Sequence, residues 1–184
     1  SLPQSDHIAM EPRNVICEIK PDGRVIMSTS SQAPFVVRKM ISRYFNIDEG
    51  KVIINTPAVG GAFGGKAAVQ LEFIAYLASY AVHGRKIRLV NTREQDMITS
   101  PCKIGLDARI KLGCTKDGLI KAVELIYLVD GGAYSNMGVA ITKSIATDCT
   151  GPYKIENVWC DAICVYTNHT YTTSFRGFGH MEYT

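Results

Sequence analysis

Apolar residues in the first half of the chain form short runs of the kind found in β-strands. NVICEIK and RVIMSTS are rich in β-branched and other apolar residues, and Pro21-Asp22-Gly23 between them is a strong turn sequence. The two runs therefore predict a β-hairpin. KVIINT and KIRLVNT predict two further short strands.

Two other runs place apolar residues at helical spacing. SSQAPFVVRKMISRYFNI predicts a first helix, for which Ser31 or its neighbour can serve as the N-cap. From Lys66 onward, the run AAVQLEFIAYLASYAVHG predicts a second helix, apolar on most of its circumference, that ends at Gly84 as the C-cap. TREQD and VAITKSIATDC predict shorter helical segments.

The second half of the chain is dominated by strand-like runs. CKIGLDARIKLGCT alternates clearly, and with GLIKAVELIYLVDGGAYS it predicts two strands joined at Lys116-Asp117-Gly118. VWCDAICVYTN predicts another strand. Long hairpins combined with two main helices predict an α+β fold of layered mixed or antiparallel sheets. We expect one domain over residues 1–184, with sub-lobes of residues 10–98 and 99–184 as an option.

Composition narrows the class of protein. The 184 residues are 46% hydrophobic and 20% charged, which is ordinary for a soluble globular protein. A net charge of +3 is too small to indicate nucleic-acid binding, no apolar run approaches a membrane span, and the N-terminus lacks signal-peptide features. We expect a cytoplasmic protein with no nucleic-acid or membrane partner. The missing initiator Met and the abrupt end at GHMEYT suggest an excised piece of a longer protein.

The six cysteines predict neither a disulfide framework nor a metal site. They are scattered, none forms a CxxC pair, and the four histidines show no matching ligand spacing. We expect free thiols packed as small hydrophobic side chains, and no metal held by the side chains of this chain.

Two glycine-rich segments are candidates for ligand binding. VGGAFGGKA follows a predicted strand, precedes a predicted helix and contains GxxxxGK at residues 60–66, the pattern of a phosphate-binding loop. Such a loop needs Ser or Thr next to hold magnesium, and Ala67 stands there instead. SFRGFGH shares the Gly-rich, Phe-containing pattern. Glycine lets backbone amides approach a ligand closely; the alternative is two tight turns anchored by aromatic rings.

GGAFGGK and FRGFGH together resemble the large subunit of the molybdenum hydroxylases, the xanthine dehydrogenase and aldehyde oxidase family. MEPR, SSQAPF, GRKIRLVNTREQD, the KDG turn, DGGAYS and TGPYKIENV resemble that family in the same order. The similarity therefore runs from about Met10 to the end of the chain. It implies a fragment of a molybdopterin-binding domain of xanthine dehydrogenase type. The glycine loop would then receive a molybdenum-pyranopterin cofactor, which requires no magnesium ligand.

The resemblance also implies roles for single residues of the first loop. Its backbone would face the molybdenum centre and the pterin, and the residues concerned are Gly60, Gly61, Phe63, Gly64 and Gly65. We expect Lys66 to position this loop rather than to touch substrate.

Further roles are implied outside that loop. Gln32 matches a glutamine whose amide faces a molybdenum oxo ligand, and a neutral donor suits that task. Arg176 matches an arginine close to the metal, with Gly177 beside it, and Phe178 matches an aromatic residue that packs against a flat substrate. The alternatives are a helix cap for Gln32, an ion pair with Glu182 for Arg176, and a core position for Phe178.

Other positions depart from the family pattern. Purine-oxidising animal members carry a glutamate at the position of Ala67, an arginine near Ser144, and Gly-Pro-Gln where this chain has His180-Met181-Glu182. We therefore do not expect purine recognition in the animal manner. Glu72 is expected to be an exposed or helix-stabilising carboxylate, with a pocket-facing one as the alternative.

Several parts of such an enzyme lie outside this sequence. The resemblance implies a general-base glutamate downstream, further molybdopterin-binding segments, and iron-sulfur clusters and FAD on other subunits or domains. The chain alone would contain no catalytic residue and would be inactive. The enzyme would oxidise a purine-like heterocycle or an aldehyde with oxygen from water. Two alternatives stay open: a P-loop-like nucleotide-binding domain, and a non-catalytic assembly fragment that forms a homo-oligomer through uncovered apolar faces.

Overall fold

The computed structural model describes residues 1–180. They form two compact units: the N-terminal unit is His7–Ser100, and the C-terminal unit combines Ser1–Asp6 with the chain from Pro101 onward. Within residues 1–180, no helix is both long and apolar enough to cross a membrane.

Seven strands and four α-helices lie within these residues. The strands are β1 (Asn14–Ile19), β2 (Val25–Thr29), β3 (Val52–Asn55), β4 (Ile87–Val90), β5 (Gly105–Cys114), β6 (Ile120–Asp130) and β7 (Asn157–Val165). The helices are α1 (Pro34–Phe45), α2 (Leu71–Ala81), α3 (Arg93–Thr99) and α4 (Gly138–Thr147).

The N-terminal unit is built on a four-stranded sheet in the order β3-β2-β1-β4. β1 pairs with β2 and with β4 in antiparallel fashion, whereas β2 and β3 are parallel. The predicted β1–β2 hairpin is confirmed, and its turn contains Gly23 at a φ of +82°. Val15, Cys17, Val25 and Met27 alternate along the two strands and are buried in one cluster with residues of α1 and α2. This cluster is the core of the unit.

The start of α1 differs from the prediction. The helix begins at Pro34 with Ala33 as the N-cap, and no side chain caps it. Ser31 instead accepts a hydrogen bond from the Ala33 N–H at 3.0 Å, in the turn that precedes the helix. Proline suits the first helical position because its missing N–H would have no intrahelical partner there.

The boundaries of α2 also differ from the prediction. The helix begins at Leu71 rather than next to Lys66, and it ends at Ala81, short of Gly84. The Lys66 carbonyl accepts the N–H of Gln32, so it is not available for the first hydrogen bond of a helix that would start there. Consequently the glycine loop does not lead directly into a helix N-terminus.

The outer face of α2 is more exposed than its apolar sequence predicts. Its buried residues are Glu72, Ala75 and Ser79, whereas Leu77 is 53% and Tyr80 68% exposed. α2 therefore presents apolar side chains to solvent in this chain.

Glu72 is not the exposed carboxylate that was one of the expectations. It is only 5% exposed, and its carboxylate accepts hydrogen bonds from the Thr29 hydroxyl at 2.7 Å and the Gln70 N–H at 2.9 Å. The second bond lies at the N-terminus of α2, where a negative charge is favourable. The expected helix-stabilising role is thus the one that the contacts support.

The C-terminal unit contains a three-stranded sheet in the order β5-β6-β7. β5 and β6 form the predicted long antiparallel hairpin, and β7 pairs with β6 in parallel. Leu125, Tyr127 and Val129 of β6 pack with Ile141 and Ile145 of α4 to form the core. Together, the mixed sheets and helices of the two units confirm the α+β fold class.

Candidate functional site

The first glycine loop contains a tight turn with a phenylalanine in an unusual conformation. Phe63 has a φ of +53° and Gly64 a φ of +102°, and the Gly65 N–H donates to the Ala62 carbonyl at 2.8 Å. Positive φ at both central residues, closed by this hydrogen bond, is the pattern of a type I′ turn. The left-handed region costs a residue such as phenylalanine about 1–2 kcal/mol. Because the Phe63 ring is 42% exposed, full burial in the core does not offset that cost.

The second glycine loop, in the C-terminal unit, repeats this turn. Phe178 has a φ of +48° and Gly179 a φ of +99°, and the His180 N–H donates to the Gly177 carbonyl at 3.0 Å. A Cβ on Gly179 would lie 2.8 Å from the Cγ1 of Ile145, so only glycine fits. Both Phe-containing loops thus share one strained backbone conformation, and strain of this kind is a pointer to function.

Glu11 holds the first loop in place by accepting hydrogen bonds from two of its residues. Its Oε2 accepts hydrogen bonds from the Gly60 N–H at 2.8 Å and from the Lys66 Nζ at 2.9 Å, and its Oε1 accepts one from Asn14. Burial raises the pKa of the Glu11 carboxyl, but these donors and the charge of Lys66 outweigh burial and hold the pKa below its ordinary value. The expected positioning role of Lys66 agrees with a side chain that is only 2% exposed.

Arg13 holds the C-terminal part of the loop, at Gly65. Its Nη2 donates to the Gly65 carbonyl at 2.6 Å, and its Nη1 donates to the Asp96 carboxylate at 3.0 Å and to the Ser100 hydroxyl. A Cβ on Gly65 would lie 2.8 Å from the His7 ring and 3.1 Å from Nη2. A side chain at this position would therefore displace the arginine that holds the loop.

Gln32 is fixed against the same loop through its side chain. Its Oε1 accepts hydrogen bonds from the Gly64 N–H at 3.0 Å and the Lys66 N–H at 3.3 Å. Two N–H donors require an oxygen, so the orientation of the carboxamide is determined by its partners. The Nε2 group then remains as a donor on an exposed residue, with no hydrogen bond to any residue of the described chain. Gln32 therefore joins the loop, and it does not cap α1.

Most backbone amides of the first loop already donate hydrogen bonds within the protein. Gly60 donates to Glu11, Gly64 to Gln32, and Gly65 to Ala62. Three consecutive amides of this loop, those of Gly61, Ala62 and Phe63, donate no hydrogen bond to any residue of positions 1–180.

The P-loop alternative is contradicted by this geometry. A phosphate-binding loop offers successive amides and a reachable lysine at the start of a helix. Here the Lys66 ammonium is paired with Glu11 and the Lys66 side chain is only 2% exposed. The Lys66 N–H donates to Gln32, and α2 begins only at Leu71.

Arg176 and Gly177 form the exposed tip of the second loop. Arg176 makes no hydrogen bond or ion pair with any residue of positions 1–180, and Glu182, its alternative partner, lies outside the described residues. Phe178 is half-buried and packs against the core of the C-terminal unit. The alternative of a core position for Phe178 therefore applies only to the buried part of its side chain.

His180 supports the second loop and was not predicted to do so. Its Nδ1 lies 2.6 Å from the Gly177 carbonyl and its Nε2 lies 2.9 Å from the Asp148 carboxylate. Glu11 and Arg13 were also missed as supporting residues, although both belong to MEPR. Two opposite charges flanking a proline just before a strand were the available signal, but their partners are 49 and 52 residues away in sequence.

Comparison with known proteins identifies the family of this chain. The family model described as "Molybdopterin cofactor-binding domain" matches residues 1–184. This chain belongs to that family. The resemblance noted in the sequence is thereby confirmed, and the loops described above are loops of a molybdopterin cofactor-binding domain.

Relatives of this molybdopterin cofactor-binding domain are considerably longer than the chain itself. The nicotinate dehydrogenase large molybdopterin subunit of Eubacterium barkeri is 32% identical over 174 residues, which are 94% of this chain and 40% of that protein. The xanthine dehydrogenase of Oryza sativa subsp. japonica is 28% identical over 177 residues, which are 95% of this chain and 13% of that protein.

Solved structures show the same fold. The aldehyde oxidoreductase from Desulfovibrio gigas superimposes with a TM-score of 0.92 at 25% identity, over 99% of this chain and 20% of that one. The quinoline 2-oxidoreductase from Pseudomonas putida 86 gives a TM-score of 0.91 at 27% identity, over 98% of this chain and 23% of that one. The chain thus spans less than half the length of each of these relatives.

Proposed function

We propose that this chain supplies part of the molybdenum-pyranopterin site of an enzyme that oxidises a purine-like heterocycle or an aldehyde. The observation that carries the proposal is Gln32, a neutral donor whose oxygen is anchored to the glycine loop and whose Nε2 group is left over. When bound, the cofactor supplies the redox centre at which a substrate carbon acquires oxygen from water. The residues of this chain bind this cofactor and orient it.

The first loop fits such a group in its chemistry. The amides of Gly61, Ala62 and Phe63 are three neighbouring donors without a partner among residues 1–180, and consecutive amides of this kind suit the oxygen-rich surface of a phosphorylated, oxo-bearing cofactor. Gln32 adds a further donor without adding charge, so it can polarise an oxo group. Gly60, Gly64 and Gly65 contribute differently in this proposal, because their amides hold the loop in shape.

Arg176 is proposed to act as a charged donor towards the same cofactor. Its guanidinium carries a fork of N–H groups suited to oxo and phosphate oxygens, and no residue of the described chain occupies it. Gly177 lets the backbone approach closely. Phe178 is proposed to offer the uncovered part of its ring to a flat substrate.

The remaining parts of the enzyme are proposed to come from elsewhere. They include a general-base carboxylate, further molybdopterin-binding segments, iron-sulfur clusters and FAD on other domains or subunits, and a cytoplasmic setting. The relatives carry names that refer to nicotinate, xanthine, quinoline and aldehyde, which supports a flat heterocycle or an aldehyde as substrate. The chain by itself is proposed to be catalytically inactive.

The test separates the two roles of Gln32. In the full protein, Gln32→Glu keeps an oxygen for the Gly64 and Lys66 amides but replaces the leftover donor with a carboxylate oxygen. We expect thermal stability close to that of the wild type, together with a loss of molybdenum content or of turnover of at least tenfold. Gln32→Ala removes both functions, so we expect lower stability as well.

A matched control is Gln95→Glu. The side-chain oxygen of Gln95 likewise accepts a backbone N–H, that of Thr92 at 3.0 Å, and this substitution should change neither stability nor molybdenum content. If Gln32→Glu retained full molybdenum content and turnover, the proposed role of the Nε2 group would be wrong.

A further inference from the structure

A small polar cavity lies behind the first glycine loop in the N-terminal unit. Its walls include Arg13, Ser30, Lys66 and Glu72, which are 7%, 4%, 3% and 5% exposed. The space open to the centre of a water molecule is about 10 Å³. This is the size of one water and leaves no room for a larger ligand.

Two of the residues that line the cavity each carry a buried polar atom that lacks a partner within residues 1–180. The atoms are the Nε of Arg13 and the hydroxyl oxygen of Ser30. The other two guanidinium nitrogens of Arg13 are hydrogen-bonded to Gly65 and Asp96, so Nε is the one nitrogen of the group without a hydrogen bond. Buried polar groups in native proteins almost always find a partner in protein or ordered water. Two unpartnered atoms on residues that line one cavity therefore point to an occupant.

The charges around the cavity restrict what the occupant can be. Arg13 and Lys66 carry positive charge, which disfavours a metal cation in the same space. Glu72 carries a carboxylate that accepts hydrogen bonds from Thr29 and Gln70, which disfavours an anion. A neutral molecule that both accepts and donates hydrogen bonds satisfies every wall, since an Nε–H needs an acceptor and a carboxylate accepts donors.

We propose that one ordered water molecule occupies this cavity as a fixed part of the loop support. It accepts a hydrogen bond from Arg13 Nε, donates one to the Glu72 carboxylate, and exchanges one with the Ser30 hydroxyl. The water joins the arginine that holds the Gly65 carbonyl to the segment that leads from β2 to Gln32. It also gives the buried Glu72 carboxylate a hydrogen bond beyond those from Thr29 and Gln70. This inference does not depend on which cofactor the loop binds.

The test is a crystal structure of the full protein at a resolution that reveals ordered waters, for the wild type and for Ser30→Val. In the wild type we expect a single peak within hydrogen-bond distance of Arg13 Nε, about 2.7–3.2 Å. In Ser30→Val the added methyl groups should fill the cavity, so the peak is lost and the melting temperature falls by a few degrees.

Two further variants keep the test decisive. Ser28→Val makes the same change in β2 at a residue that does not line the cavity, and it should leave both the water and the melting temperature unchanged. Ser30→Ala is the milder variant, in which the water should remain on Arg13 and Glu72 even if Ser30→Val fails to fold. A dry wild-type cavity, or a peak with the density and contact distances of an ion, would overturn the proposal.

Discussion

The ion pair between Glu11 and Lys66 should respond to substitution in an asymmetric way. Lys66 is 2% exposed at its side chain, whereas Glu11 is 28% exposed. Removing one partner of a buried pair typically costs about 3–5 kcal/mol, because the other charge is left buried without compensation. The two single substitutions therefore leave very different charges behind.

Glu11→Gln should be the more damaging of the two. It leaves the Lys66 ammonium out of water with only a neutral amide oxygen as acceptor, so we expect a loss of about 3 kcal/mol, the lower end of that range. Lys66→Met leaves a carboxylate that water can reach and that still accepts from Gly60 and Asn14. Its cost should be about 1 kcal/mol, in the range of exposed pairs.

The double variant gives the sharpest expectation. Once Glu11 has been replaced, exchanging the unpaired lysine for methionine removes the buried charge, so Glu11→Gln/Lys66→Met should be more stable than Glu11→Gln by about 2 kcal/mol. For a chain of this size that corresponds to about 4–8 °C in melting temperature. Calorimetry of the purified variants measures the difference.

A surface pair provides the control for this experiment. Lys111 and Glu124 are 2.9 Å apart, and their side chains are 56% and 41% exposed. The corresponding variants Lys111→Met and Glu124→Gln should each change stability by less than about 1 kcal/mol. If the Glu11→Gln/Lys66→Met double variant melted below Glu11→Gln, the pair would not be coupled as described, and the support of the loop would have to lie elsewhere.

Three further predictions concern the loop and the exposed helix face. Gly65→Ala should destabilise the protein by about 1–3 kcal/mol because its Cβ meets the His7 ring at 2.8 Å, whereas Gly113→Ala, 3.8 Å from its nearest neighbour, should be close to neutral by calorimetry. The pKa of Glu11 is lowered on folding, so its contribution to stability is complete above its ordinary pKa of 4.5 and is lost as the pH falls through the folded value. When stability is measured at decreasing pH, the free energies of unfolding of the wild type and of Glu11→Gln should therefore converge. A difference that stays constant with pH would contradict this. The chain alone should self-associate through the outer face of α2, and Leu77→Lys should reduce its mass in light scattering; an unchanged mass would exclude that face.

The hairpins and the positions of their turns could be predicted from the sequence because their determinants are local. Pro21-Asp22-Gly23 and Lys116-Asp117-Gly118 lie between the strands that they join, and the turn itself fixes their pairing. The parallel pairing of β6 with β7 could not be obtained in this way, since α4 lies between them and no local signal specifies a parallel partner.

The supports of the first loop show what local patterns leave out. The glycines predicted a turn at residues 60–65, but the Lys66 carbonyl, which a helix starting there would need, accepts the N–H of Gln32 from 34 residues earlier. The same holds for Arg13, whose guanidinium contacts the Gly65 carbonyl across 52 residues. Periodicity favoured a helix from Lys66 onward, and the tertiary hydrogen bonds outweighed it.

The most direct test of the cofactor assignment is the molybdenum and pterin content of the full protein after native purification. Elemental analysis and fluorescence of the oxidised pterin measure the two components independently. We expect molybdenum and pterin to be both present in amounts close to that of the polypeptide. A folded, active protein that contains neither would contradict the assignment of a molybdenum-pyranopterin site.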